Sequence, residues 1–355
     1  MSGYLAEIYQ RYGTEMWCDT PNPPDLSRLV GLGAVGATSN PVLILRMVKA
    51  APDRWRGEIE SCRAEGGLAN WTMARRGARE AAEILEPTFR QSGGKVGLLS
   101  VQVDPRNWND PSAMIPQARE ANAIAPNISV KLPATKAGLV GIEELAANGI
   151  SCTATVSFSV PQAIAIAEAF KRGKARAEKA GLLSASTPLH SYTVLMVGRL
   201  DGHLSDVVKE QNLSVDSELL TWAGVAVGKR AYGIFRERGY ESKLLIAALR
   251  GTRHIEQFVG GDLVITIPPN NEQAYGEHVG HRLPAPLIDE PVPAGIVDEL
   301  SERFVDFRRA YAPDGMQPDE FDAFGPTVKT INQFCQDWEG LIRFVEDAES
   351  KEAKA

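Results

Sequence analysis

Short apolar runs recur along the chain, each ending at a polar or chain-breaking residue and each followed by a stretch with helical spacing. The runs at residues 15–19, 33–38, 95–103, 128–132, 150–156, 192–197, 243–248 and 263–267 read as strands, the first ending in a carboxylate, the second built of small residues, and the later ones rich in Val, Ile and Leu. Between them, helical spacing predicts helices over 25–30, 41–48, 55–90 (interrupted at Gly66-Gly67), 111–122, 139–148, 161–180, 201–237 and 253–258. Pro41 suits a first helical turn. Residues 270–293, rich in proline and polar groups, read as a long loop. Amphipathic spacing returns over 295–347, and a charged tail follows it.

About eight strand–helix pairs in about 250 residues predict a parallel α/β barrel, a (β/α)8 TIM barrel with additional C-terminal helices. All of residues 1–355 are expected to form one domain, with the helical extension at about 295–347. The alternative, a doubly wound sheet, wants a glycine-rich turn after the first strand. Here Gly31 and Gly33 precede a strand instead.

In such a barrel the chemistry collects at the C-terminal ends of the strands. That rule selects Asp19, Asn40, Gln102, Lys131, Thr155, Arg199 and Arg250. Lys131 is the most informative, because it interrupts the run Ile128-Ser129-Val130-Lys131-Leu132. Burying it charged is expensive, so burial lowers its pKa from ~10.4 and frees the amine as a nucleophile toward a carbonyl. The plainer alternative is a lysine on an edge strand or snorkelling at a strand end. Each of the others has its own plain reading: a cap for Asp19, an Asx turn for Asn40, a strand filler for Thr155, rim salt bridges for the arginines. Together they supply an amine, a carboxylate, hydroxyl and amide groups, and two guanidiniums able to grip a phosphate.

Composition narrows the partners. The chain has 355 residues, 44% of them hydrophobic, which suffices for a large core. A net charge of −7 argues against a general nucleic-acid or anionic-membrane surface. The N-terminus lacks the apolar segment of a signal peptide, and no run approaches the ~18 apolar residues of a membrane helix. Cys18, Cys62, Cys152 and Cys335 are widely spaced and form no zinc pattern, consistent with reduced thiols in a cytoplasmic protein. Of the five histidines, His278 and His281 fall together in the polar loop without a third ligand, so no metal is expected.

The blocks Trp17-Cys18-Asp19-Thr20, Ala37-Thr38-Ser39-Asn40-Pro41, Ile128 through Thr135, Gly149 through Thr155 with Phe158-Ser159, and Val197 through Asp201 resemble the transaldolase family of class I aldolases. Gln102 through Arg106 and Leu249-Arg250 align as well, and the order and spacing match the longer bacterial members. The resemblance implies that Lys131 forms a Schiff base with a ketose and that Asp19 is the acid/base at the sugar hydroxyl. It implies that Asn40 and Thr155 hold the dihydroxyacetone unit and a catalytic water, and that Arg199 and Arg250 bind the sugar phosphate. Ser39 and Ser157 join the substrate-binding set. The reaction it implies is transfer of dihydroxyacetone between sugar phosphates in the pentose phosphate pathway, with no cofactor. A homodimer is a possible assembly.

Two departures stand out. The family usually carries glutamate where Gln102 stands. The related fructose-phosphate aldolases carry glutamine there but add a tyrosine on the sixth strand, a position taken here by Met196. Tyr192 lies on that strand out of register, and Val194 replaces a family serine. A missing acid/base is worth ~10²–10⁴ in rate. Three readings follow: a transaldolase-like enzyme, a diverged class I aldolase acting on another carbonyl in a specialised pathway, or a non-catalytic sugar-phosphate-binding homologue.

Overall fold

All eight apolar runs become strands. A computed structural model describes residues 3–64, 68–183 and 188–352. The strands are β1 (Glu15–Cys18), β2 (Gly36–Thr38), β3 (Leu98–Gln102), β4 (Ile128–Pro133), β5 (Cys152–Thr155), β6 (Ser191–Met196), β7 (Lys243–Ala247) and β8 (Val264–Ile267). They close in chain order into a parallel barrel, with β1 returning to pair β8. Helices separate the strands in the sequence, and further helices follow β8. The expected (β/α)8 barrel with added helices is therefore the observed fold.

The interior is layered by the two-residue period of the strands. At the foot, the buried Glu15 accepts from Lys243 Nζ at 2.8 Å and from Trp17 Nε1 at 2.9 Å. Higher up, the Trp17 and Tyr192 rings meet edge to face at 4.7 Å, so Tyr192 is spent on mid-barrel packing. A hydroxyl cluster lies beside them: Thr153 Oγ1 is 2.8 Å from both Ser100 Oγ and Ser129 Oγ. Two residues further along the same three strands stand Gln102, Lys131 and Thr155. The layer beneath the lysine is thus hydrogen-bonded to itself, which leaves the top layer free to face a ligand.

Three expectations change. Residues 270–293 are not all loop, since Pro269–His278 is a helix. Pro269 sits at its first position, where a missing N–H costs nothing. Tertiary bonds hold it there: Glu272, 2% exposed, accepts from Tyr4 Oη at 3.1 Å and from Arg28 Nη1 at 2.7 Å. His278 belongs to this helix and bonds Glu256 at 2.7 Å. The region 201–237 divides into Val197–Glu210, Ser217–Leu220 and Ala223–Arg238. The chain also begins with an unforeseen helix, Tyr4–Tyr12, whose Tyr4, Leu5 and Ile8 are buried. The interruption expected at Gly66-Gly67 lies outside the described residues. The final helix runs past residue 347 to Glu352.

Cys18 and Cys152 lie buried in β1 and β5 as small apolar fillers, and burial pushes both thiols up. No helix among the described residues is long and apolar enough to cross a membrane.

Candidate active site

Lys131 is the fourth residue of β4, paired in register with Gln102 of β3 and Thr153 of β5. It is 5% exposed, and its Nζ donates to the Ser39 backbone carbonyl at 3.2 Å. Burial lowers its pKa to about 8, the Arg199 charge lowers it too, and Asp19 opposes the shift. One neutral acceptor is weak compensation for a buried ammonium. The lysine therefore faces the barrel interior as an amine that is readily deprotonated.

The cavity it faces has a volume of about 150 Å³. Asp19, Thr38, Asn40, Lys131, Thr155 and Arg199 line it together with an apolar wall from β6 and β7. Size alone does not select this cavity: a hollow of about 320 Å³ lies by Arg236, Lys243 and Asp262 at the foot of β7. There Lys243 is held by two carboxylates, each at 2.8 Å, and its pKa is raised. A lysine locked as a cation is no nucleophile.

Asp19 follows β1 directly. Its Oδ1 accepts from Thr38 Oγ1 at 2.7 Å, and that hydroxyl is 2.8 Å from Thr266 Oγ1. Burial pushes its carboxyl pKa up, while the Thr38 bond and the charges of Lys131, Arg46 and Arg199 pull it back. Desolvation is the largest of these, so the group sits above the usual carboxylate range. A carboxyl with a raised pKa beside an amine with a lowered one is the arrangement that proton exchange near neutral pH requires.

Asn40 caps the helix Pro41–Ala50, its Oδ1 accepting from Leu43 N at 3.0 Å. The cap fixes the side chain, and what Asn40 offers to the cavity is its Nδ2 donor. Ser39 does not line the cavity through its side chain: its Oγ donates to the Ser100 carbonyl at 2.9 Å, and its contribution to Lys131 is a backbone oxygen. Thr155 Oγ1 and Gln102 Oε1 are buried, and neither has a hydrogen-bond partner among the described residues. A buried polar atom without a partner is costly. Thr155 lines the cavity, whereas Gln102, beside Lys131 in register, is not part of its lining.

Ser157 is fully buried and points away from the cavity. Its Oγ donates to the Val194 carbonyl, and its own carbonyl accepts from Met196 N at 3.0 Å. It joins the β5 loop to β6. That loop is strained, with Val156 at φ 57°, a conformation a β-branched residue rarely adopts. Gln162 holds it there. Its Oε1 accepts from Phe158 N and Ser159 Oγ, both at 3.0 Å, and its Nε2 donates to the carbonyls of Val156 at 3.2 Å and Ala134 at 3.3 Å.

The two arginines part company. Arg199 lines the cavity from the first turn of Val197–Glu210. The final helix Gly325–Glu352 holds it: Nη1 donates to Gln333 Oε1 at 2.7 Å, and the guanidinium lies 5.4 Å from the centre of the Phe334 ring. Arg250 is exposed and lies along Gly198 and Gly202 of the helix after β6, near enough to lower the Arg199 pKa, though burial does more. Its backbone N–H donates to His254 Nδ1 at 3.2 Å, and His254 Nε2 donates to Asp201 Oδ2 at 2.8 Å. Asp201 Oδ1 accepts from Gly224 N at 2.8 Å.

The sequence reading did not single out Thr38, Thr266, Arg46 or Gln333, all of which line the cavity. Thr38 and Thr266 share the strand-end rule that found Asp19, so that signal was present. Arg46 and Gln333 arrive from helices, where the rule is silent.

Strand-end polar groups gathered around a buried lysine at the mouth of a closed parallel barrel define an α/β-barrel enzyme. The model of the transaldolase/fructose-6-phosphate aldolase family matches residues 16–344, and the chain belongs to that family. A transaldolase of Thiobacillus denitrificans is 27% identical over 339 residues, 86% of this chain and 90% of its own length. One of Mycobacterium ulcerans is 28% identical over 274 residues, 74% of this chain and 72% of its own. One of Mycobacterium tuberculosis is 31% identical over 207 residues, 57% and 55% of the two chains. The relatives mark this chain as a transferase.

Proposed function

We propose that the enzyme transfers a three-carbon ketone unit between sugar phosphates through a Schiff base on Lys131. The observation that carries this reading is the buried Lys131 amine, its pKa lowered to about 8, facing the same cavity as Asp19. The neutral amine attacks the ketose carbonyl and water leaves, giving an iminium. Asp19 takes the proton of the hydroxyl on the carbon being released. The carbon–carbon bond breaks, an aldehyde departs, and its electron pair stays on Lys131 as an enamine. The enamine carbon attacks a second aldehyde, whose oxygen recovers the proton from Asp19. Water then hydrolyses the iminium and returns the amine.

In this reading Asn40 donates to a hydroxyl of the retained fragment, and Thr155 with Gln102 holds the water. Arg199 binds the anion of the sugar phosphate from inside the cavity, and Arg250 adds to that field from its rim. Ser39 positions the lysine through its carbonyl, and Ser157 braces β6. Incubation with fructose 6-phosphate and borohydride tests the assignment. The expected result is a three-carbon or six-carbon reduced adduct on Lys131, absent from Lys131→Ala. Retention of the adduct in that variant would refute the role of the lysine.

A second reading, a related carbonyl substrate outside central sugar metabolism, is favoured by the neutral Gln102 next to the lysine and by Met196 in the cavity wall. An amide cannot accept a proton as a carboxylate does.

A further inference from the structure

The cavity wall is divided by polarity. Asp19, Thr38, Lys131, Thr155 and Thr266 bring polar side chains to it from β1, β2, β4, β5 and β8 or just beyond their ends. From β6 and β7 come only Val194, Met196, Leu245 and Ala247, each 8% exposed or less. Val194 pairs in register with Leu245 and Met196 with Ala247, so the four form one continuous apolar patch two residues wide and two deep. Its backbone offers little in place of side chains: Ser157 already bonds the Val194 carbonyl and the Met196 amide. Arg199 stands three residues beyond Met196 and lines the same cavity. In the reading given above, the carbon chain running from the reacting atom at Lys131 to an anion at Arg199 passes along this patch.

We propose that the patch selects an anion-bearing aldehyde whose carbon next to the reacting carbonyl carries no hydroxyl, in preference to the hydroxylated counterpart. The proposal rests on the reading of Lys131 and Arg199 given above and names the substrate class for it. A hydroxyl laid against Val194, Met196, Leu245 and Ala247 gives up water and finds no partner. A bare methylene there loses nothing. An apolar wall that merely excludes a hydroxyl discriminates by roughly tenfold to a hundredfold, which sets the expected size of the effect.

The test is a competition in the wild-type enzyme, with sedoheptulose 7-phosphate as donor, so that the released aldehyde differs from both acceptors and each acceptor gives its own product. The two acceptors are glyceraldehyde 3-phosphate and the same molecule lacking its 2-hydroxyl, 3-phosphooxypropanal. The expected kcat/KM ratio favours the deoxy acceptor by roughly tenfold to a hundredfold. Val194→Thr keeps the shape of the side chain and restores one hydroxyl, and it narrows that ratio severalfold. Equal use of the two acceptors, or preference for the hydroxylated one, overturns the proposal. Borohydride capture run alongside separates the causes of failure. Capture on Lys131 without discrimination sinks this inference alone, whereas no capture and no transfer sink the covalent reading beneath it.

Discussion

Gln102 and Lys131 sit side by side, paired in register across β3 and β4, yet the Gln102 side-chain oxygen has no hydrogen-bond partner among the described residues. The pairing puts a neutral group where a carboxylate would hold a charge against the amine. Gln102→Glu would add that charge. An anion beside a lysine favours the ammonium form, so the lysine pKa rises from about 8. The pH profile of borohydride trapping is expected to move to more alkaline pH, while turnover at saturating donor rises by about tenfold as a proton acceptor is restored. An unchanged pH profile would show that residue 102 does not face the amine.

For the wild type, trapping at Lys131 is expected to climb with pH through about 8, because only the uncharged amine attacks. The stability consequence has the matching sign. The folded pKa lies below the unfolded value of ~10.4, so between these the unfolded chain binds more protons and stability from this group rises with pH. Below pH 8 the full penalty of burying the charge applies. Lys131→Met abolishes trapping and raises the thermal midpoint at pH 7 by roughly 2–5 °C, read by calorimetry. A midpoint that falls instead would mean the lysine is stabilising where it lies.

His254 and Asp201 are buried at 3% and 7% exposure, and between them they fix the backbone amide of Arg250. Removing the imidazole leaves the Arg250 side chain present but unaimed. His254→Ala is expected to raise KM for a phosphorylated ketose about five- to twentyfold and to change kcat less than about threefold, the pattern of lost ground-state binding. KM for an unphosphorylated ketose stays where it was. In an Arg250→Ala background the same change adds little, because the two act as a unit. Additive effects in that double mutant would separate His254 from phosphate binding.

Gln162 makes four hydrogen bonds from a fully buried position and holds the loop that keeps Val156 at positive φ. Gln162→Leu fills similar volume and removes all four bonds, and of the four groups Ser159 Oγ alone keeps a partner, the backbone N–H of residue 162. The expected loss is ~2–4 kcal/mol, measured by denaturant unfolding. Trapping at Lys131 should fall as well, since Thr155 and Ser157 flank the same turn.

The eight strands were legible because each is an apolar run stopped by a turn or proline, and the strand-end rule then picked out Asp19, Asn40, Lys131, Thr155 and Arg199 at one cavity. Helix Pro269–His278 was not legible. Prolines and asparagines read as breakers, and only Tyr4 and Arg28, some 240 residues or more away, make Glu272 a helix anchor. Ser157 was legible as a site neighbour but not as a brace, because its partner belongs to another strand. Arg250 followed the rule in sequence and departs from it in space: the turn at Ala248, φ 58°, carries it away from the barrel axis onto the neighbouring helix. Gln333 reaches Arg199 across 134 residues, and no local pattern encodes which helix will cross a barrel mouth.

The helix Gly325–Glu352 carries the residues that grip Arg199, and it begins about sixty residues after the last strand ends. The ring and the hold on its inward arginine are therefore encoded in separate stretches of chain. A change at Gln333 would slacken Arg199 without touching a single strand, so the barrel and its grip can drift independently.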